Sequence, residues 1–138
     1  MENLELRFKQ LKSQKYREDN YKIIDFNNDK KICLIFCSSN GLYRKDVASN
    51  IKILESDKYD WDNISNSKRL LKIAGKYIFI RDIFCHTYVD GINERINTID
   101  RIINFLKEET KGCSLYLIGH SGGRLFSNDS WIYFRKYD

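Results

Sequence analysis

The residues best suited to chemistry sit late in the chain, in Gly119-His120-Ser121-Gly122-Gly123, which fits the pattern G-x-S-x-G. A serine hydroxyl becomes a useful nucleophile when a tight turn holds it clear of the backbone and N–H donors face the oxyanion that forms on attack. Gly119, Gly122 and Gly123 leave room for such a turn, and the apolar run Leu115 to Ile118 supplies a strand that stops abruptly before it. Ser121 is therefore the candidate nucleophile, and the Gly122 backbone N–H is one candidate oxyanion donor. The second donor should come from the loop after an earlier strand. Cys37-Ser38-Ser39-Asn40-Gly41 is that loop, and Ser38 or Ser39 is the candidate, since small residues admit close approach to a ligand.

A serine nucleophile also needs a base to take its proton. The chain has two histidines. His120 lies inside the turn, where neighbouring side chains point apart. His86 follows the strand-like run Tyr77 to Ile80, toward the edge where the carboxyl ends of parallel strands meet, and is the candidate base. Asp82 could orient it, although pairing with Arg81 or Lys76 is the plainer use of that carboxylate. Nothing from Arg124 to Asp138 is a histidine, so the usual order of serine, acid and histidine is incomplete.

These residues need a scaffold, and the apolar pattern outlines one. Leu4, Phe8 and Leu11 mark a short amphipathic helix that dissolves near Glu18-Asp19-Asn20. Tyr21 to Phe26 and Ile32 to Phe36 read as strands, joined by the turn-forming Asn27-Asn28-Asp29-Lys30-Lys31 into a hairpin. The second run is apolar without alternation, as in a strand buried on both faces. Tyr43 to Leu71 gives mixed signals, with Tyr59, Trp61 and Ile64 expected to pack over the sheet. Lys76 to Phe84 reads as a third strand. Asp90-Gly91 opens a helix carrying Ile92, Ile96, Ile99, Ile103 and Leu106 on one face, which Gly112 is placed to end. Leu115 to Ile118 is the fourth strand. This is the grammar of an α/β protein with a mostly parallel sheet, an N-terminal hairpin and flanking helices.

Composition narrows the classes. The 138 residues are 42% hydrophobic and 31% charged, which suits one domain with a real core and argues against disorder. The net charge of +5 is spread through every segment, so no nucleic-acid partner is expected. The densest basic stripe, Lys9, Lys12 and Lys15, could hold a phosphate but is read as a solubilising helix face. No apolar run approaches a membrane span and the first eleven residues lack a signal-peptide core, so a cytoplasmic protein with no membrane partner is expected. The four cysteines show no metal-ligand spacing, and three lie in or beside apolar runs, as buried reduced thiols would. The glycines fit neither G-x-G-x-x-G nor a phosphate loop, so no cofactor and no metal is expected.

Taken together, these residues resemble the α/β-hydrolase superfamily. The stretches that carry the resemblance are Leu34-Ile35-Phe36-Cys37-Ser38-Ser39-Asn40-Gly41-Leu42-Tyr43, Ile80-Arg81-Asp82-Ile83-Phe84, Gly91-Ile92-Asn93 and the turn around Ser121. Within it, the chain looks most like small bacterial hydrolase-like proteins of surface-polysaccharide biosynthesis. The resemblance implies a serine hydrolase or acyl transferase acting on a small-molecule or glycan ester, built on an incomplete α/β-hydrolase-like core. The sequence departs from the family pattern after the turn: Ser127-Asn128-Asp129-Ser130 breaks what should be a packed helix, and Trp131-Ile132-Tyr133-Phe134 reads as a strand or hydrophobic tail. The expectation is a single domain over 1–138, truncated after residues 119–123 and inactive in that form. The other expectation is a non-catalytic interaction module that self-associates through its hydrophobic C-terminal edge.

Overall fold

Burial on both faces turns three apolar runs into the three central strands. The computed structural model describes residues 2–37, 46–56, 58–59, 61–63, 66–85 and 87–119, and the backbone of 132–136. In chain order the elements are α1 (Leu4–Lys15), β1 (Tyr21–Asp25), β2 (Ile32–Cys37), α2 (Val47–Glu55), α3 (Lys68–Ile73), β3 (Lys76–Ile80), α4 (Ile99–Glu109), β4 (Ser114–Gly119) and β5 (Ile132–Lys136). They build a mixed α/β fold whose single five-stranded sheet has the order β1-β3-β2-β4-β5. β3, β2 and β4 run parallel, while β1 and β5 are antiparallel edges.

Two apolar layers hold helices to the sheet. On one face Cys33, Ile35, Ile78, Leu115 and Leu117 meet Ile102 and Leu106 of α4. On the other, Leu34, Phe36, Tyr77 and Phe79 meet Tyr59 and Ala74, with Trp61 and Leu70 alongside. Tyr59 and Trp61 thus pack over the sheet as their positions predict, and Ile64 lies outside the described residues. The stretch with mixed sequence signals contains two helices. Asp46 caps α2 by accepting from the Ser49 N–H at 2.8 Å, and α3 is a short helix leading into β3.

The expected N-terminal hairpin does not form. β1 pairs with β3, placing Tyr21 opposite Ile80 and Asp25 opposite Lys76. Both edges of β2 are taken, by β3 and β4, so β1 has no place beside it. The Asn27–Lys31 segment instead bridges over the start of β3. Gly75 N–H donates to the Ile32 carbonyl at 2.8 Å, and Gly75 accepts from Phe26 N–H at 3.0 Å. A Cβ at Gly75 would lie 2.1 Å from the Lys30 carbonyl oxygen, so only glycine lets the two chains cross here.

The last long helix also starts later than its apolar spacing predicts. Asn93 Oδ1 accepts from the N–H groups of Arg95 and Ile96, and Ile92 N–H donates to the Ile96 carbonyl at 2.8 Å. Those bonds close a turn in place of a helical ladder. α4 begins at Ile99, where the Thr98 hydroxyl accepts from Arg101 N–H at 3.1 Å. Ile92 and Ile96 still reach the same core as α4, which is why the spacing looked continuous. Past the helix end, Gly112 takes φ +76°, consistent with its expected role. The third strand ends at Ile80, short of Phe84, because the chain turns at Ile83-Phe84.

Candidate functional site

In a parallel sheet the loops that leave the carboxyl ends of the strands share one edge, and α/β sites form there. Register fixes which loops meet. Cys37, the last residue of β2, is paired with Ile80 at the end of β3 and with Gly119 at the end of β4. The three parallel strands therefore end level, and the chain leaves them side by side after residues 37, 80 and 119. Ser38, Ser39, His86, Ser121 and Gly122 all lie outside the described residues. What is brought together is the chain on which they sit: buried Cys37 before the two serines, Cys85 and Thr87 either side of His86, and buried Gly119 two residues before Ser121.

Among the described residues, the loop after β3 is the part of this edge with the most side-chain bracing. Asp82, only 2% exposed, accepts from Tyr88 N–H at 2.8 Å and from Phe84 N–H at 3.2 Å. Both carboxylate bonds fold its own loop, and among the described residues it forms no ion pair with Arg81 or Lys76; Lys76 donates to the Glu109 carbonyl. Cys85, Thr87 and Tyr88 adopt left-handed backbone, with φ of 56°, 52° and 62°. Such conformations are unfavourable for side chains with a Cβ and persist only where the surroundings hold them. Here the fully buried Tyr88 ring is the anchor, its hydroxyl reaching the Ile80 carbonyl at 3.4 Å.

The end of α1 and the start of β1 brace the same loop. Asn20 accepts from Arg81 N–H through its carbonyl and donates from Nδ2 to the carbonyls of Lys15 and Ile92, at 2.9 and 2.8 Å. Asn93 donates to the Asp19 carbonyl at 2.6 Å. Tyr16 donates to the Asp90 carbonyl at 2.6 Å and sets its ring edge-on to Phe84. Burial, then the negative charges of Asp90, Glu94 and Asp82, push the Tyr16 hydroxyl above its ordinary pKa, so it stays a neutral donor. Neither asparagine carries a motif, so only their placement beside a turn, Asn20 after the fading helix and Asn93 after Gly91, could have drawn attention to them.

Arg81 extends from the opposite face. Its Nη1 donates to the carbonyls of Ser56 and Lys58 at 3.1 and 3.4 Å, and its guanidinium lies 5.4 Å from the Tyr59 ring centre. Its Nε is buried with no hydrogen-bond partner. Nearby, Trp61 Nε1 donates to the Cys37 carbonyl at 2.9 Å, tying the segment over this face to the end of β2.

The thiols are all free, but only Cys33 and Cys37 are buried, with Cys85 and Cys113 half-buried. Burial pushes Cys33 and Cys37 up to about 12, so neither is a thiolate near neutrality and neither competes as nucleophile. The basic stripe on α1 is partly engaged: Lys15 pairs with Glu18 at 3.1 Å, and Lys12 sits over the Phe8 ring. A shallow groove runs along this helix past Lys9 and Arg17 and holds no acid. Among the described residues no group of histidine, cysteine and acid side chains could hold a metal ion, and no helix is long and apolar enough to cross a membrane. No family model, curated protein or solved structure matches the chain.

Proposed function

We propose that this chain is a serine hydrolase or acyl transferase of the α/β-hydrolase type, acting on an ester such as an acylated glycan. The observation that carries the reading is the pairing of Cys37 with Gly119. An oxyanion hole of this type takes one N–H from the turn after the nucleophile strand and one from the loop after a neighbouring strand, so those two loops must start from one edge. The level ends of β2 and β4 supply that start.

In this reading Ser121 Oγ attacks the ester carbonyl while His86 takes the hydroxyl proton. The oxyanion is held by the Gly122 N–H and the N–H of Ser38 or Ser39. Collapse of the intermediate expels the alcohol, which receives the proton from His86 and leaves an acylated serine. Water or an acceptor hydroxyl then takes the acyl group. The histidine this reading uses as base is His86, in the loop after β3, in place of one following the nucleophile turn. The support for His86 is the strained and braced loop around it, since strain of this kind concentrates at functional sites.

The test is labelling with a fluorophosphonate. Ser121 should be modified in the folded protein, Ser121→Ala should abolish the label, and His86→Ala should slow it. Folded protein that takes no label at Ser121 overturns the proposal.

A second reading rests on β5. As the outermost strand it has one backbone edge with no strand partner among the described residues, in a stretch whose sequence is Ile132-Tyr133-Phe134. An interaction module would use that edge to self-associate, and sedimentation showing only monomer at high concentration would refute it.

A further inference from the structure

Arg81 is 7% exposed, and among the described residues no carboxylate pairs with it. Asp62, beside Tyr59, pairs with Lys22 at 3.0 Å and accepts from Tyr59 N–H at 3.0 Å. Lys22 Nζ also lies 5.0 Å from the Tyr59 ring centre, so two cations lie against one ring. A buried cation without a counter-ion is costly unless something anionic joins it.

The geometry of the guanidinium says what would fit. Its Nη1 is satisfied by the Ser56 and Lys58 carbonyls. Its Nε has no partner, and Nη2 makes no hydrogen bond among the described residues. Nε–H and Nη2–H point in parallel, within the plane, from one edge of the guanidinium, and that pair is the edge that grips a carboxylate through two parallel bonds. Arg81 directly follows Ile80, whose register partner is Cys37, so the unpaired edge is carried by the first residue past the level strand ends. Nε is sealed from solvent, so its partner must leave water to reach it.

We propose that Arg81 binds a carboxylate on the substrate, making the preferred ester one whose acyl or sugar part carries a second, free carboxyl group. This rests on the hydrolase reading for the ester, but the carboxylate site is tested without turnover. Binding of monomethyl succinate, methyl acetate and methyl phosphate is measured by titration calorimetry on the full chain and on Ser121→Ala. Both proteins should bind monomethyl succinate at least about tenfold more tightly than the other two. Arg81→Lys keeps the charge but loses the double donor edge, and should weaken that binding roughly ten- to hundredfold.

Equal affinity for the three compounds, or preference for methyl phosphate, overturns the proposal. So does undiminished binding by folded Arg81→Lys; if that variant does not fold, the wild-type preference alone decides. Asp57 and Asp60 lie close in sequence and outside the described residues. Binding that emerges only in Asp57→Asn/Asp60→Asn would assign the edge to the chain's own acids and equally overturn the proposal. Failure of Ser121 labelling with carboxylate binding intact removes the hydrolase reading and leaves this one standing.

Discussion

Replacing Asp82 by Asn should release the loop after β3, and the structure sets the scale. Three non-glycine residues there hold positive φ, at about 1–2 kcal/mol each, so the loop stores roughly 3–6 kcal/mol of backbone strain. Opposing it are two bonds to an ionised acceptor, from Tyr88 N–H at 2.8 Å and Phe84 N–H at 3.2 Å, worth about 1.5–3 kcal/mol apiece. Asn keeps one acceptor oxygen and turns an NH2 toward the other donor, so one bond is lost and one N–H is left unpaired. The cost should be about 2–4 kcal/mol. In urea, with a slope of about 1–3 kcal/mol per molar, the unfolding midpoint should fall by about 1–2 M. Hydrogen exchange at the Tyr88 amide should accelerate more than exchange in β2, and Ser121 labelling should slow, because His86 lies in this loop. A midpoint within about 0.3 M of wild type, together with unchanged Tyr88 protection, would refute the idea that Asp82 holds the strain.

Gly75→Ala should destabilise by about 2–4 kcal/mol, because its Cβ would fall 2.1 Å from the Lys30 carbonyl oxygen and parting the chains loosens the Phe26 and Ile32 bonds. Chemical denaturation would show it, and a stability equal to wild type would mean that the linker does not cross at Gly75. The buried thiols predict a pH dependence. Cys33 and Cys37 are raised from 9.0 to about 12, so above pH 9 the unfolded chain loses protons that the folded one keeps. Their contribution to stability is therefore complete below pH 9 and declines between 9 and 12, by about 1.4 kcal/mol per pH unit for each thiol. Cys33→Ala/Cys37→Ala should flatten stability against pH in that range; an equally steep decline would place the cause elsewhere.

The central strands were legible because a strand buried on both faces must be apolar throughout, and Cys33–Cys37, Tyr77–Ile80 and Leu115–Ile118 are nearly so. The start of α4 was not, since Ile92 and Ile96 are spaced like helical residues yet reach the core from a turn closed by Asn93. Periodicity reports which residues face the core, and a turn can satisfy it as well as a helix. The brace formed by Asn20 and Asn93 was invisible for a related reason. A buried asparagine is defined by the carbonyls around it, and those come from segments more than seventy residues apart in the chain.

By itself, then, the sequence determined the residue types that could do chemistry and the apolar strands that precede them: a serine among glycines after one buried run, small residues after another, a histidine after a third. Tertiary structure decided adjacency. β2 has only two edges, and β3 and β4 fill both, so β1 was displaced from its chain neighbour while Cys37 came level with Ile80 and Gly119. Local preference can write a strand, but which strands share an edge depends on competition for backbone hydrogen bonds across the whole sheet. That competition also set Arg81 at the sheet end, with its Nη1 on the Ser56 carbonyl and its buried Nε without a hydrogen-bond partner.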